Sequence, residues 1–169
     1  KVTLAKVTSF SALIGYGVQG TLDGKKVFFG NKRLMDSHNI HLSDTTQESL
    51  SKREKEGKTV MLLAEDTTLL GMIAVADTIK ESARDTVTQL SAMGIEVVML
   101  TGDNSQTAQA IADTLGITSV HAEVLPGEKE HEIRKLKTGT NHIAMVGDGI
   151  NAAPALAAAD VGIAMGSGT

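Results

Sequence analysis

Apolar and polar positions follow a strand-like pattern at the start of the chain, and beyond its midpoint helical spacing alternates with apolar runs. From Val2 to Met35 the pattern is strand-like: "TSFSALIGYGVQGTL" is followed by "DGKKVFFG". Asp23-Gly24 between two such runs predicts a two-residue hairpin, because that turn needs positive φ at both central positions. "NKRLMDSHN" predicts a short helix, and "SDTTQESLSKREKEG" a polar helix opened by a Ser43 or Asp44 cap and stopped at Gly57. "TVMLLAED" and "LLGMIAVAD" follow as two apolar strands around a polar turn.

After Asp77 the rhythm becomes helix, strand, helix, strand. "ESARDTVTQLSAMG" carries Ala83, Val87, Leu90 and Met93 at helical spacing, and "IEVVML" is a β-branched run suited to a buried parallel strand. "SQTAQAIADTLG", "GEKEHEIRKLKTG" and "NAAPALAAA" predict helices; "TSVHAEV", "HIAMV" and "DVGIAM" predict the strands between and after them. Such alternation implies a parallel sheet with helices on both faces. The change of rhythm places a domain boundary near Gly71 to Asp77. No internal repeat and no low-complexity tract is present, and the charge run "KREKEGK" reads as a solvated helix face.

Composition narrows the classes. With 169 residues and 41% hydrophobic content the chain can bury the core of one average domain or two small ones. A formal net charge of -4 argues against a phosphate-backbone binder, so no nucleic-acid partner is expected. The chain has no Cys, which excludes disulfides, thiolate metal sites and a Cys nucleophile. No run of about 18 apolar residues and no charged-then-apolar leader occurs, so the chain reads as soluble. It starts abruptly on "KVTLAKVTSF", as expected of a piece of something longer. Aromatics at 2%, frequent Gly and few Pro point to an aliphatic α/β core with tight glycine turns.

Three features of the second half fall just past the C-terminal end of an apolar strand or in the helix turn that follows, where open parallel sheets bind ligands. Thr101-Gly102-Asp103 ends "VVML" with a hydroxyl, a glycine and an acid; Thr101 can donate to a phosphoryl oxygen and the following helix start favours an anion. The alternative is a helix cap made by Asp103 or Asn104. Lys129 sits in the first turn of a charged helix, where a cation opposes the macrodipole; a bound phosphate would compensate it, and so would solvent. Asp148 lies between two glycines directly after "HIAMV", placed as a hard oxygen ligand for Mg²⁺ beside a phosphate, or as part of an ordinary Gly-Asp-Gly turn. Asn151 either caps the next helix or bonds within the loop. Near the front, Gly15, Gly17 and Gly20 fit hairpin packing as well as a nucleotide contact. His38 and His41 have a spacing open to a metal but no third ligand nearby, and the seven scattered Met read as core filling.

"GYGVQGTLDGKKVFFGNKRLM", "GMIAVADTIKESA", "MLTGDNSQTAQAIADTLGI", "AEVLPGEKEHEI" and "AMVGDGIN" with the following "ADVGIAMGSGT" stand in the order and spacing of the cytosolic ATP-binding region of P-type ATPases, whose heavy-metal, copper-type branch the chain resembles most. The resemblance implies an α/β fold. Residues 75–169 would be a haloacid-dehalogenase-like parallel sheet, the phosphorylation domain with its first strand missing. Residues 1–74 would be the C-terminal part of an antiparallel α+β nucleotide-binding domain. It also implies that Gly15 and Gly17 lie against ATP, that Thr101 and Gly102 contact the phosphoryl group, and that Asp103 helps close the domains over ATP. Lys129 would neutralise an acyl phosphate, Asp148 would ligate Mg²⁺, Asn151 would stand among the catalytic residues as the Asn of the pattern Gly-Asp-Gly-x-Asn-Asp, and Asp77 and Lys80 match the hinge.

The nucleophile implied by the resemblance is an Asp that becomes an aspartyl phosphate, in an Asp-Lys-Thr-Gly-Thr motif. Here "KTGT", Lys137 to Thr140, is preceded by Leu136 and reads as a coincidental loop. The expected partners are therefore ATP and the remaining segments of a parent pump: the missing phosphorylation strand, an actuator domain and membrane helices. Such a parent would place the chain on the cytosolic face of a membrane. Alone, the chain is expected to turn over no ATP. A second departure is Ala152, where the family pattern Gly-Asp-Gly-x-Asn-Asp has an acid; with the unseen nucleophile it motivates the alternative of a catalytically silent nucleotide-binding or interaction module.

Overall fold

The computed structural model describes residues 5–76, 78–147 and 152–166. They form two compact units. The larger comprises the chain as far as Met99 together with Asp103–Ala122; the smaller comprises Leu100–Gly102 and the chain from Glu123 onward.

The larger unit is built on an antiparallel sheet of β1 (Val7–Leu13), β2 (Gly17–Leu22), β3 (Lys25–Gly30), β4 (Thr59–Glu65) and β5 (Thr68–Val75), in that spatial order. The Asp23-Gly24 hairpin forms as its sequence requires: φ is 51° and 82° at the two residues, and Leu22 pairs with Lys25 across the turn. Between β3 and β4 run α1 (Lys32–Ser37) and α2 (Asp44–Lys55), the latter capped by Ser43, whose Oγ accepts from the Thr46 N–H at 3.3 Å. These helices cover one face of the sheet. Phe28, Leu34, Met35, Ile40, Leu50, Val60 and Leu62 close the core beneath them, each large aliphatic there contributing about 1.5–3 kcal/mol by leaving water. On β5, Leu69, Met72 and Ala74 pack on this core while Leu70, Ile73 and Val75 are exposed, the two faces being offset where Leu63 pairs with Gly71 and Ala64 with Leu69.

The second half keeps the predicted element order: α3 (Glu81–Ala92), β6 (Val98–Leu100), α4 (Ser105–Leu115), β7 (Ser119–His121), a 3₁₀ turn at Pro126–Glu128, α5 (Lys129–Leu136), β8 (Ala144–Gly147), α6 (Ala153–Ala158) and β9 (Val161–Ala164). Its strands are short, and they pair as two separate two-stranded parallel sheets, β6 with β7 and β8 with β9. The sequence predicts one continuous parallel sheet; the pairings found are those joined by a single crossover helix, α4 for one pair and α6 for the other. "IEVVML" correspondingly contributes only its last three residues to a strand. The helix α3 forms at the predicted spacing, yet none of its residues is buried.

In the smaller unit Ile133, Ala155 and Ala158 make a compact core, with Leu100, Ile143 and Met145 packed against it. The helix α6 lies directly on β9, so close that a Cβ on Gly162 would stand 2.7 Å from the Leu156 carbonyl oxygen. No helix among the described residues is long and apolar enough to cross a membrane.

Candidate functional site

The glycine turn of the larger unit is shaped by its neighbours. Gly15 occupies the loop between β1 and β2 with φ 78°, and the Tyr16 N–H donates to the Leu13 carbonyl at 2.9 Å to close it. Asn31 holds this loop to the start of α1: its Nδ2 donates to the Gly15 carbonyl at 2.8 Å, while its Oδ1 accepts from the Leu34 N–H at 3.1 Å as the helix cap. Gly17 has φ 141° and pairs with Gly30; a Cβ on it would meet the Phe29 carbonyl oxygen at 2.3 Å and the Gly30 Cα at 2.5 Å. Hairpin packing alone therefore requires glycine at 17. Ile14 and Tyr16, the neighbours of the exposed Gly15, are themselves exposed.

The segment Thr101-Gly102-Asp103 is divided between the units. Thr101 and Gly102 go with the smaller one, where the Val124 N–H donates to the Thr101 carbonyl at 3.0 Å and a Cβ on Gly102 would lie 3.4 Å from the Val124 carbonyl oxygen. This pairing sets the end of β6 beside the stretch that leads into Lys129. Lys129 is half-buried at the first position of α5, preceded by the 3₁₀ turn whose Glu128 carboxylate accepts from the Leu125 N–H at 3.2 Å. Leu100 before Thr101, Ile133 on the helix of Lys129, and Met145 on β8 share one core. The smaller unit thus holds together the ends of the elements that carry Thr101, Gly102 and Lys129 and that lead toward Asp148.

Asp103 belongs to the larger unit, and the choice between Asp103 and Asn104 as helix cap resolves in favour of Asn104, whose Oδ1 accepts from the Gln106 and Thr107 N–H groups at 3.0 Å each. Asp103 instead accepts a hydrogen bond from the Thr59 hydroxyl at 3.2 Å. Thr59 escapes a reading by motif, since it lies 44 residues away and its only local signal is strand propensity.

Asp148, Asn151 and Asp77, the last expected at the hinge, lie outside the described residues. Ala152 is buried, and its Cβ stands 2.7 Å from where a Cβ on Gly147 would be. Position 152 therefore presents a methyl group packed on the end of β8 and no oxygen. The smaller unit also contains an acid that sequence reasoning missed. Asp160 accepts from the Ile143 N–H at 2.8 Å, and the Ile143 carbonyl accepts from the Asp160 and Val161 N–H groups at 2.9 and 3.1 Å. Lys137 reaches the same carboxylate at 2.7 Å. The Lys137 hydrogen bond, joined by that of Ile143, holds the Asp160 carboxyl below its ordinary range. The "KTGT" stretch thus starts with a lysine that ties α5 to the start of β9.

The His38 ring packs 4.2 Å from that of the buried Phe28, and no group of three or more metal-binding side chains occurs among the described residues.

Comparison with known proteins agrees with this architecture. The chain is 52% identical over all 169 residues to a copper-exporting P-type ATPase of Staphylococcus haemolyticus, of which it covers 21%. Among solved structures, a zinc-transporting PIB-type ATPase in an E2·Pi state matches with a TM-score of 0.59 and 38% identity, over 99% of this chain and 26% of that one. The catalytic domain of the CPx-ATPase CopB-B shares the fold, with a TM-score of 0.68 at 23% identity, over 99% of this chain and 57% of that domain. The chain therefore spans about a fifth of the curated relative it matches. The model of haloacid dehalogenase-like hydrolases matches residues 3–160, and the chain belongs to that family.

Proposed function

We propose that this chain is the ATP-binding and phosphoryl-handling cytosolic part of a heavy-metal-exporting P-type ATPase, with copper as the cargo of the whole pump. The observation that carries the reading is the 52% identity to a copper-exporting relative over every residue of the chain. In this reading residues 1–74 are the C-terminal part of the nucleotide-binding domain and residues 75–169 the incomplete phosphorylation domain. The nucleophilic Asp comes from a preceding segment of the parent, and its aspartyl phosphate splits ATP hydrolysis into two easier steps.

The residues fit the nucleotide in kind. The exposed Gly15 turn with Ile14 and Tyr16 suits an adenine ring. Thr101 offers a hydroxyl and Gly102 close backbone approach to a phosphoryl oxygen, and Lys129 supplies positive charge near them. Asp148 would hold Mg²⁺, which neutralises charge on the transferring phosphate, and Asn151 would order the turn that carries Asp148. One carboxylate with a substrate phosphate is a sufficient but weak Mg²⁺ donor set, because position 152 contributes only a buried methyl. The remaining partners are the other segments of the parent.

A second reading is favoured by that same residue. Ala152 in place of an acid lowers negative charge beside the metal position, as expected of a catalytically silent nucleotide-binding or interaction module. Calorimetry of the chain with ATP and Mg²⁺ separates the pump fragment from the interaction role. Saturable nucleotide binding supports the pump fragment, whereas no heat at millimolar ATP favours an interaction role.

A further inference from the structure

The antiparallel sheet places an unassigned residue at the glycine end of the larger unit. In the ladder, Gly17 pairs with Gly30 and Gly30 with Leu62, so these three lie in one row across β2, β3 and β4. The strand β4 begins three residues before Leu62, at Thr59, so Thr59 projects beyond that row at the same end of the sheet as the Gly15 turn. Two strand spacings across and three residues along put Thr59 on the order of 14 Å from Gly17, a distance that an extended nucleoside triphosphate spans and a single phosphate does not.

At that position the Thr59 hydroxyl donates to Asp103 at 3.2 Å. Two further polar bonds tie the same helix to the same region: the Thr107 hydroxyl donates to the Lys58 carbonyl at 3.0 Å, and the Ser51 hydroxyl to Gln106 Oε1 at 3.0 Å. Thr107, Ala108 and Ala112 are fully buried, so α4 is packed into this unit. Asn104 caps the helix, and the Asp103 carboxylate takes the Thr59 hydrogen bond.

We propose that Thr59 is a positioning residue for nucleotide binding: it holds Asp103 at the triphosphate end of the site whose other end is the Gly15 turn. The inference rests on the proposed ATP site and adds a residue to it. A carboxylate near a triphosphate repels it unless a donor or a cation draws off its charge. Hydrogen bonding by Thr59 fixes the direction of Asp103 and tempers that repulsion, so that Asp103 can work with Mg²⁺ and not against the phosphates.

The test compares MgATP and adenosine binding by calorimetry to the 169-residue chain, to Thr59→Val and to Thr59→Ser. Valine is a good strand residue of similar size at this exposed first position of β4, so the variant keeps the fold. Loss of one hydrogen bond predicts MgATP binding about 3- to 10-fold weaker in Thr59→Val, unchanged adenosine binding, and recovery in Thr59→Ser. Equal MgATP affinity in wild type and Thr59→Val, or a parallel loss for adenosine, overturns the positioning role while leaving the ATP site intact. Absence of MgATP binding to the wild-type chain removes the ATP site itself, and the role of Thr59 with it.

Discussion

Gly17 and Gly30 face each other across β2 and β3 with no room for a side chain between them: a Cβ on Gly17 would approach the Gly30 Cα to 2.5 Å, and one on Gly30 would approach the Tyr16 carbonyl oxygen to 2.2 Å. Both atoms are backbone, so neither can swing aside, and Gly17 also has φ 141°. Gly17→Ala is therefore expected to lower stability by about 2–4 kcal/mol through steric overlap and strain, read as a fall in the urea midpoint. An unchanged midpoint would show that the hairpin relaxes freely. It follows that loss of nucleotide binding in a Gly17 variant is no measure of nucleotide contact.

Asn31 caps α1 and tethers the Gly15 loop with one side chain. Asn31→Ala removes both bonds and is expected to cost about 1–2 kcal/mol. Asn31→Asp keeps the cap acceptor and loses only the donor to Gly15, so it should fall between the two. Denaturant curves of the three proteins check this order; equal stability of wild type and Asn31→Ala would contradict it.

Asp160 gives the smaller unit a pH dependence of known sign. Its carboxyl is held below the ordinary Asp value of 3.8 by Lys137 and the Ile143 N–H. A depressed folded-state value means that the unfolded chain takes up the proton first. The stabilisation is thus complete above about pH 4–5 and disappears as the pH falls through the folded-state value. The stability difference between wild type and Asp160→Asn should hold from pH 7 to about 5 and shrink below about 4. Urea unfolding across that range measures it, and a gap that stays constant to pH 3 would exclude the mechanism. Because the pair is exposed to solvent, moderate salt should also narrow the gap.

Position 152 tests what the buried methyl means. Ala152→Asp places a carboxylate in a buried spot against Gly147, expected to cost about 1–3 kcal/mol without metal. If Asp148 holds Mg²⁺ nearby, millimolar Mg²⁺ should restore the melting temperature of this variant more than that of wild type. Equal Mg²⁺ shifts in both proteins would mean that the two positions do not share a cation.

The parts of the fold legible in the sequence are those with local causes. Asp23-Gly24 specifies its hairpin through two positive φ angles, Ser43 specifies the start of α2 through its cap, and helical spacing places α3 to α6. Long-range pairings were not legible. The splitting of the second half into two strand pairs depends on which strands meet, which periodicity does not encode. For the site, strand ends pointed to Thr101, Gly102 and Lys129, and the structure joins their elements through Val124 and the Leu100–Ile133–Met145 core. Asp103 and Asn104 are equally good caps by sequence, because the partner of Asp103, Thr59, is distant along the chain. Asp160 was hidden because an acid before a strand carries no pattern of its own, and its bonds to Ile143 and Lys137 arise only when β8 and β9 pair.

The central claim is that this chain binds MgATP at the glycine turn and at the strand ends. A ¹H–¹⁵N titration of the labelled chain with MgATP tests it most directly, since each glycine and threonine amide reports separately. The predicted result is saturable shifts at Gly15, Gly17, Thr101, Gly102 and Asp103, with the Asp23-Gly24 hairpin at the opposite end of the sheet unmoved. No shifts at millimolar MgATP, or shifts confined to residues away from these five, would contradict it.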